Sequence, residues 1–118
     1  MITVKLIHKL NDNPDLKKFF IGFEISGHAG YAHHGEDIVC AAVSVLSLNT
    51  ANALSELTSN QVDIQMNEDG YLQVMAKELD SYGELLLDAF ALGILNIYND
   101  YSNEDNKNEF INIKFEEV

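Results

Sequence analysis

One cysteine and one histidine in the first third of the chain have the types and spacing needed for nucleophilic chemistry. Cys40 is the single cysteine, and His28 precedes it by twelve residues. A thiolate paired with an imidazolium can attack a carbonyl carbon, and the same histidine can then protonate the leaving group. Asp37 lies three residues before Cys40 and could orient the imidazole, as the third member of a catalytic triad does. These three residues are therefore the candidate catalytic residues.

The predicted position of Cys40 favours its reactive thiolate form. Asp37 is a good N-cap residue, and apolar residues recur every three or four positions from there to about residue 59. Cys40 would then lie in the first helical turn, where backbone N–H groups lack partners and carry partial positive charge. Both features stabilise a thiolate, and the N–H groups could also hold an oxyanion. The simpler alternatives are that Cys40 is a packed small residue and that Asp37 only caps the helix.

The histidine-rich segment before Cys40 could also bind a metal. His28, His33, His34, Asp37 and Cys40 all have side chains that ligate metal ions. Their spacing matches no structural zinc pattern, and adjacent histidines seldom both point at one ion. We therefore expect no metal and no cofactor, and we assign no role to His33 or His34.

The predicted helix carries Ser44 and Ser47 on the same face as Cys40. No general base is placed for either hydroxyl. Both serines are therefore expected to allow close packing rather than to act as nucleophiles.

The elements that must position these residues follow from the spacing of apolar residues. Alternation predicts strands over residues 2–8, 19–27, 62–67, 71–79 and 110–118, and helical periodicity predicts helices over 37–59 and 81–99. The order ββαββαβ indicates an α+β fold, with one mainly antiparallel sheet and two helices on one face. We expect residues 1–118 to form a single domain. The second helix is apolar over a broad face, which suggests that another subunit covers part of it.

The composition excludes several classes of protein. The chain has 118 residues, of which 47% are hydrophobic and 22% charged, as in a globular protein. Its net charge of −12 disfavours nucleic acid as a partner, because binding requires cations that displace counterions from phosphates. The same charge would attract a basic protein, or it could serve solubility alone.

The distribution of apolar residues and the cysteine content suggest where the protein acts. The longest unbroken apolar run covers residues 89–95, far fewer than a membrane span needs, so we expect no membrane partner. The first ten residues lack the apolar segment of a signal peptide. A single cysteine excludes an intrachain disulfide, and a reduced cytoplasmic setting fits best.

Residues 27–44, GHAGYAHHGEDIVCAAVS, resemble the signature of the bacterial ribosomal-processing cysteine protease family (Prp, YsxB-like). The family's motif has a Gly-His-Ala turn, a short loop, a glycine, and Asp-Ile-Val-Cys-Ala-Ala at a helix start. Ten positions match: Gly27, His28, Ala29, Gly35, Asp37, Ile38, Val39, Cys40, Ala41 and Ala42. The length and element order agree with the family along nearly the whole chain.

The resemblance implies roles for individual residues. Cys40 would be the nucleophile and His28 the general base, and Asp37 matches the family's acidic position. We also place Gly27, Ala29, Gly35 and Ser44 in the substrate-binding site. The loop between His28 and Cys40 is expected to be mobile and to close over the substrate.

The resemblance also implies a substrate and an assembly. The expected substrate is the precursor of large ribosomal subunit protein 27, which carries a short N-terminal extension. Cleavage is expected to follow an apolar, aromatic-rich stretch and to release this extension. An apolar cleft beside Cys40 and a homodimer are expected.

Two other functions remain as alternatives to a cysteine protease. The first is a non-catalytic module that binds a basic ribosomal protein in the same groove. The second is a metal-dependent hydrolase.

Overall fold

The computed structural model describes residues 1–9, 19–27, 34–102, 105, 108 and 110–118, with side chains in the first helix described from residue 38 onward. The strands are β1 (Ile2–His8), β2 (Phe20–Ser26), β3 (Val62–Met66), β4 (Leu72–Ala76) and β5 (Ile111–Glu117). The helices are α1 (His34–Glu56) and α2 (Ser81–Asp100). The predicted order ββαββαβ is confirmed, and no predicted element end is displaced by more than three residues.

The five strands form one sheet in the order β3-β4-β2-β1-β5. β1 pairs with β5 in parallel, and the other three pairs are antiparallel. A parallel pair needs a crossover connection, which the chain between β1 and β5 supplies. The prediction of a mainly antiparallel sheet is therefore correct.

The core lies between one face of the sheet and the two helices. Alternate strand residues face the helices, as the pleat of a strand requires. The cluster includes Val4, Leu6, Phe23, Ile25, Val74 and Ile111 from the sheet, Val39, Val43 and Leu54 from α1, and Leu87, Phe90 and Ile94 from α2. The rings of Phe23 and Phe90 stack with their centroids 3.9 Å apart. Burial of each such side chain stabilises the fold by about 1.5–3 kcal/mol, which fixes both helices over the sheet.

The start of α1 differs from the prediction. The helix begins at His34, so Asp37 is its fourth residue and does not cap it. The prediction of Asp37 as N-cap is wrong, because Gly35 did not stop the helix. One glycine in a helix costs about 1 kcal/mol relative to alanine, and the packing of the turns that follow can supply this.

α1 is more hydrophobic than its unbroken apolar runs suggest. Within the described part of the chain, Ile38–Glu56 is the one segment long and apolar enough to cross a membrane, judged by length and composition alone. Its polar residues are mostly small, and the hydroxyls of Ser47 and Thr50 donate to carbonyl oxygens four residues earlier, at 2.6 and 2.7 Å. In the fold 39% of the segment is buried, and it supplies one side of the core.

The start of α2 is fixed by a side-chain cap. Asp80 is the N-cap, and its Oδ1 accepts hydrogen bonds from the Gly83 N–H at 2.9 Å and the Asn60 Nδ2 at 3.1 Å. The Asp80 N–H donates in turn to Asn60 Oδ1 at 2.7 Å. The backbone N–H of Gly83 and the amide of Asn60 lower the pKa of Asp80. This arrangement ties the first turn of α2 to the segment that follows α1.

Candidate active site

Cys40 is half-buried in the second turn of α1 and packs against the edge of the hydrophobic core. It is the seventh residue of the helix, whereas the N–H groups without helical partners belong to the first four. The prediction that Cys40 lies in the first turn is therefore wrong. Its side chain still reaches the surface, because the core covers only part of it.

His28 and Ala29 lie outside the described residues, as does most of the predicted mobile loop, so the Cys–His pair stays a prediction. Gly27 is described and directly follows β2 with a φ of +80°. A Cβ at this position would lie 2.5 Å from the backbone oxygen of Met1, so a glycine is required. The backbone therefore needs a glycine at the end of β2, which gives Gly27 a structural role whatever its contact with substrate.

An apolar pocket lies between α1 and the β3–β4 hairpin. Its volume is about 140 Å³, and it is lined by Ile25, Ser44, Ser47, Leu48, Met66, Asn67, Gly70, Tyr71 and Leu72. Ser44 follows Cys40 by four residues, which is about 6 Å along the helix. An apolar pocket thus lies one helical turn from Cys40, where the family resemblance implies an apolar cleft.

The two serines on the Cys40 face of α1 differ in their surroundings. Ser47 is buried and donates to the Val43 carbonyl oxygen, which agrees with the predicted packing role. Ser44 is exposed at the edge of the pocket, so the packing prediction is wrong for this residue. Its position suits the predicted contact with substrate. Gly35 and Asp37 lie in the first helical turn, one turn before Cys40.

The hairpin side of the pocket was not predicted from the sequence. Asn67 Oδ1 accepts hydrogen bonds from the N–H groups of Asp69 and Tyr71, at 2.9 and 3.3 Å. The Tyr71 hydroxyl donates to Glu24 at 3.4 Å, and the loss of water around the ring and the charge of Glu24 raise the pKa of Tyr71. The turn itself is visible in the sequence as Glu68-Asp69-Gly70. Its place opposite α1 depends on the strand order, which no local pattern encodes.

Comparison with known proteins identifies the family. Residues 1–105 match the family model described as Cysteine protease Prp. The Ribosomal processing cysteine protease Prp of Bacillus subtilis (strain 168) is 29% identical over 90 residues, which are 71% of this chain and 80% of that protein. The protein of the same name from Staphylococcus aureus (strain Mu50 / ATCC 700699) is 39% identical over 46 residues, or 39% of this chain and 43% of the relative.

Solved structures agree over the whole fold. The crystal structure of SMU.848 from Streptococcus mutans is 33% identical with a TM-score of 0.77, covering 100% of this chain and 99% of that one. The essential ribosomal processing protease Prp from S. aureus, in complex with a covalently linked product peptide, is 26% identical with a TM-score of 0.77, covering 98% of this chain and 100% of that one. This chain belongs to the Cysteine protease Prp family and is a cysteine protease.

Proposed function

We propose that this cysteine protease removes the short N-terminal extension of large ribosomal subunit protein 27, with Cys40 as the nucleophile. The chain has one cysteine, so no other residue can supply the thiolate that this class of enzyme uses. The observation that carries the proposal is the position of Cys40, half-buried on the side of α1 that opens one turn later onto an apolar pocket. Relatives named as ribosomal processing proteases support a ribosomal protein as the substrate.

The reaction proceeds in two steps. The Cys40 thiolate attacks the carbonyl carbon of the scissile peptide bond, and a C–S bond forms while the carbonyl oxygen becomes an oxyanion. The C–N bond then breaks, and the His28 imidazolium donates its proton to the leaving amine. In the second step His28 accepts a proton from water as that water attacks the thioester. The C–S bond breaks, the Cys40 thiolate is restored beside the His28 imidazolium, and the product leaves as a carboxylic acid that releases its proton to water. Asp37 orients His28.

The pocket selects an apolar side chain near the cleaved bond. Its volume of about 140 Å³ is similar to that of a buried cavity of about 150 Å³ that binds benzene. One phenylalanine or leucine side chain therefore fits. The floor is formed by Ile25 and Leu72, which are buried. This agrees with cleavage after an apolar, aromatic-rich stretch.

The protein acts in the cytoplasm as a homodimer that pairs through the outer face of its two helices. Val45 on α1 and Leu92 on α2 are 69% and 62% exposed. The sequence has no charged residue from Ile38 to Ser55, although the chain carries a net charge of −12. Exposed apolar patches of this kind commonly mark protein interfaces. Two copies can meet along the α1 half of this face without bringing carboxylates together.

Mass spectrometry of the extended ribosomal protein tests the activity. Incubation with the wild-type enzyme is expected to release the N-terminal extension, whereas Cys40→Ala is expected to leave the protein intact. The variant should still bind the precursor, since the pocket is unchanged. Binding without cleavage by the wild-type protein would instead support the non-catalytic module. Cleavage that EDTA abolishes and zinc restores would support the metal-dependent hydrolase.

A further inference from the structure

We propose that Asn67 is a positioning residue that holds the β3–β4 turn against the substrate and so sets the selectivity of the pocket beside Cys40. The inference rests on the proposed function, because it concerns an apolar side chain of the cleaved peptide. It adds a role for the β3–β4 turn, which lies far in sequence from the motif around Cys40.

Asn67 closes the turn with both its backbone and its side chain. Its N–H donates to the Tyr71 carbonyl oxygen at 3.1 Å. Its Oδ1 accepts from the Asp69 N–H at 2.9 Å and from the Tyr71 N–H at 3.3 Å. Gly70 completes the turn with a φ of +84°. Among the described residues the side chain contributes only acceptor contacts, so an aspartate could replace it and an alanine could not.

The turn is the least supported of the three walls of the pocket. The sheet wall, Ile25 and Leu72, belongs to the hydrophobic core. The helix wall, Ser44, Ser47 and Leu48, belongs to the hydrogen-bonded helix α1. The hairpin wall begins at Met66, which is 67% exposed, and continues through the turn. The width of the pocket therefore depends on the hydrogen bonds of Asn67.

Loosening this wall should weaken binding and leave the chemistry intact. An apolar side chain in the pocket gains from close contact on every side, and a gap of less than 1 Å already removes a large part of the dispersion attraction. Cys40 lies on α1 rather than on the hairpin, one helical turn before the pocket residue Ser44. Discrimination between a large and a small apolar side chain should fall, and KM should change rather than kcat.

The test compares Asn67→Ala with Asn67→Asp, and uses Asn99→Ala, an exposed asparagine of α2, as the matched control. Peptides that span the cleavage site carry either Phe or Ala at one apolar position at a time. The variants are then compared at the position where the wild-type enzyme shows the largest Phe-over-Ala ratio of kcat/KM. Asn67→Ala is expected to lower the Phe-over-Ala ratio of kcat/KM about tenfold. The change should appear in KM, with kcat within about twofold of wild type. Asn67→Asp and Asn99→Ala should retain the wild-type ratio.

Several results would overturn the proposal. One is a Phe-over-Ala ratio of kcat/KM near one at every position in the wild-type enzyme. Another is an unchanged ratio in folded Asn67→Ala, or a change in that variant confined to kcat. The last is a ratio in folded Asn67→Asp that falls as far as in Asn67→Ala. Thermal unfolding establishes that each variant is folded at the assay temperature. If Asn67→Ala is unfolded at that temperature, Asn67→Ser is used in its place. A serine hydroxyl is too short to reach the N–H groups of both Asp69 and Tyr71. A wild-type ratio in folded Asn67→Ser would equally contradict the proposal.

Alkylation of Cys40 separates this inference from the proposed function. Peptidyl chloromethyl ketones with Phe or Ala at the chosen position require binding and a thiol, but no peptide cleavage. If the wild-type protein cleaves no peptide yet is alkylated selectively, only the proposed function fails. If Asn67→Ala is alkylated with the wild-type selectivity, the positioning role fails.

Discussion

Cys40 meets two demands that usually conflict in one side chain. It packs against the core, which limits its motion, and it remains only half-buried, which leaves part of the residue accessible. Its neighbours on the same helix face divide these tasks, since Ser47 is buried and Ser44 is exposed at the pocket. This position suits the predicted nucleophile, because a substrate could reach it without a large rearrangement of α1.

Substitution of the predicted nucleophile and base should abolish activity without unfolding the protein. Cys40→Ser and His28→Ala are each expected to lower kcat/KM at least about a thousandfold, and the double variant should lose little more, because the two residues act as a unit. Cys40→Ser should change the free energy of unfolding by less than about 1 kcal/mol, since the site is half-buried. Peptide kinetics and thermal unfolding measure both effects. Additive losses in the double variant would argue against a Cys–His pair.

Gly27 should be required by the backbone rather than by substrate contact. Gly27→Ala is expected to destabilise the fold by at least about 1–2 kcal/mol, because the positive φ disfavours a Cβ and the Met1 oxygen occupies its place. Gly35→Ala is the matched control. Gly35 lies in the first turn of α1, where an alanine is expected to be accommodated at least as well as a glycine. Chemical denaturation measures the free energy of unfolding of both variants. Equal values for Gly27→Ala and Gly35→Ala would contradict a backbone requirement for glycine at residue 27.

At the scale of elements, α1 and the β3–β4 hairpin together build the pocket although they are far apart in sequence. The apolar periodicity was sufficient to predict every strand and helix, because each element buries one face. It could not locate the start of α1, where a glycine was tolerated inside the helix. It also could not place Asn67 opposite Ser44, since that proximity depends on β4 pairing with β2. The motif therefore identified Cys40 but not the far wall of its pocket.

The cap of α2 should give the fold a defined sensitivity to acid. The folded pKa of Asp80 lies below the ordinary value of 3.8. The carboxylate therefore contributes stability above that value, and the contribution is lost as the pH falls through the lower folded pKa. Asp80→Ala is expected to lower Tm by about 5 °C at pH 7, and the difference should shrink below pH 4. Asp80→Asn keeps the side-chain oxygen that caps the helix, so its Tm should fall less than that of Asp80→Ala. A difference that does not depend on pH would exclude a role for the charge.

At the scale of the whole molecule, charge and apolar surface are separated. The outer helix face around Val45 and Leu92 is apolar and exposed. On the other side of the sheet Lys5 lies between Glu24 and Glu116, at 3.8 and 3.7 Å, so one of the few cations is already surrounded by acids. This separation is what the proposed dimer and the proposed basic substrate require, since each would use a different surface.

The apolar helix face should hold the proposed dimer together. Wild-type protein is expected to sediment at twice the chain mass of 13.2 kDa. Val45→Glu should shift it to the monomer, because each interface would bury two unpaired carboxylates. Leu57→Glu is the control, since Leu57 is 78% exposed and follows the end of α1. Sedimentation velocity over a range of concentrations measures the mass. A dimeric Val45→Glu protein would place the interface elsewhere.

The acidic surface should speed the capture of a basic substrate without affecting the chemistry. The chain has seven basic and nineteen acidic residues, and its field extends about 10 Å at 0.1 M salt but only about 3 Å at 1 M. Raising the salt between these values should lower kcat/KM for the full-length ribosomal protein at least about fivefold, through slower association. A short uncharged peptide spanning the cut lacks the basic body that the field attracts, so its kcat/KM should hardly change. Stopped-flow association and steady-state kinetics with both substrates measure this difference. Equal salt sensitivity for the two would mean that the charge serves solubility alone.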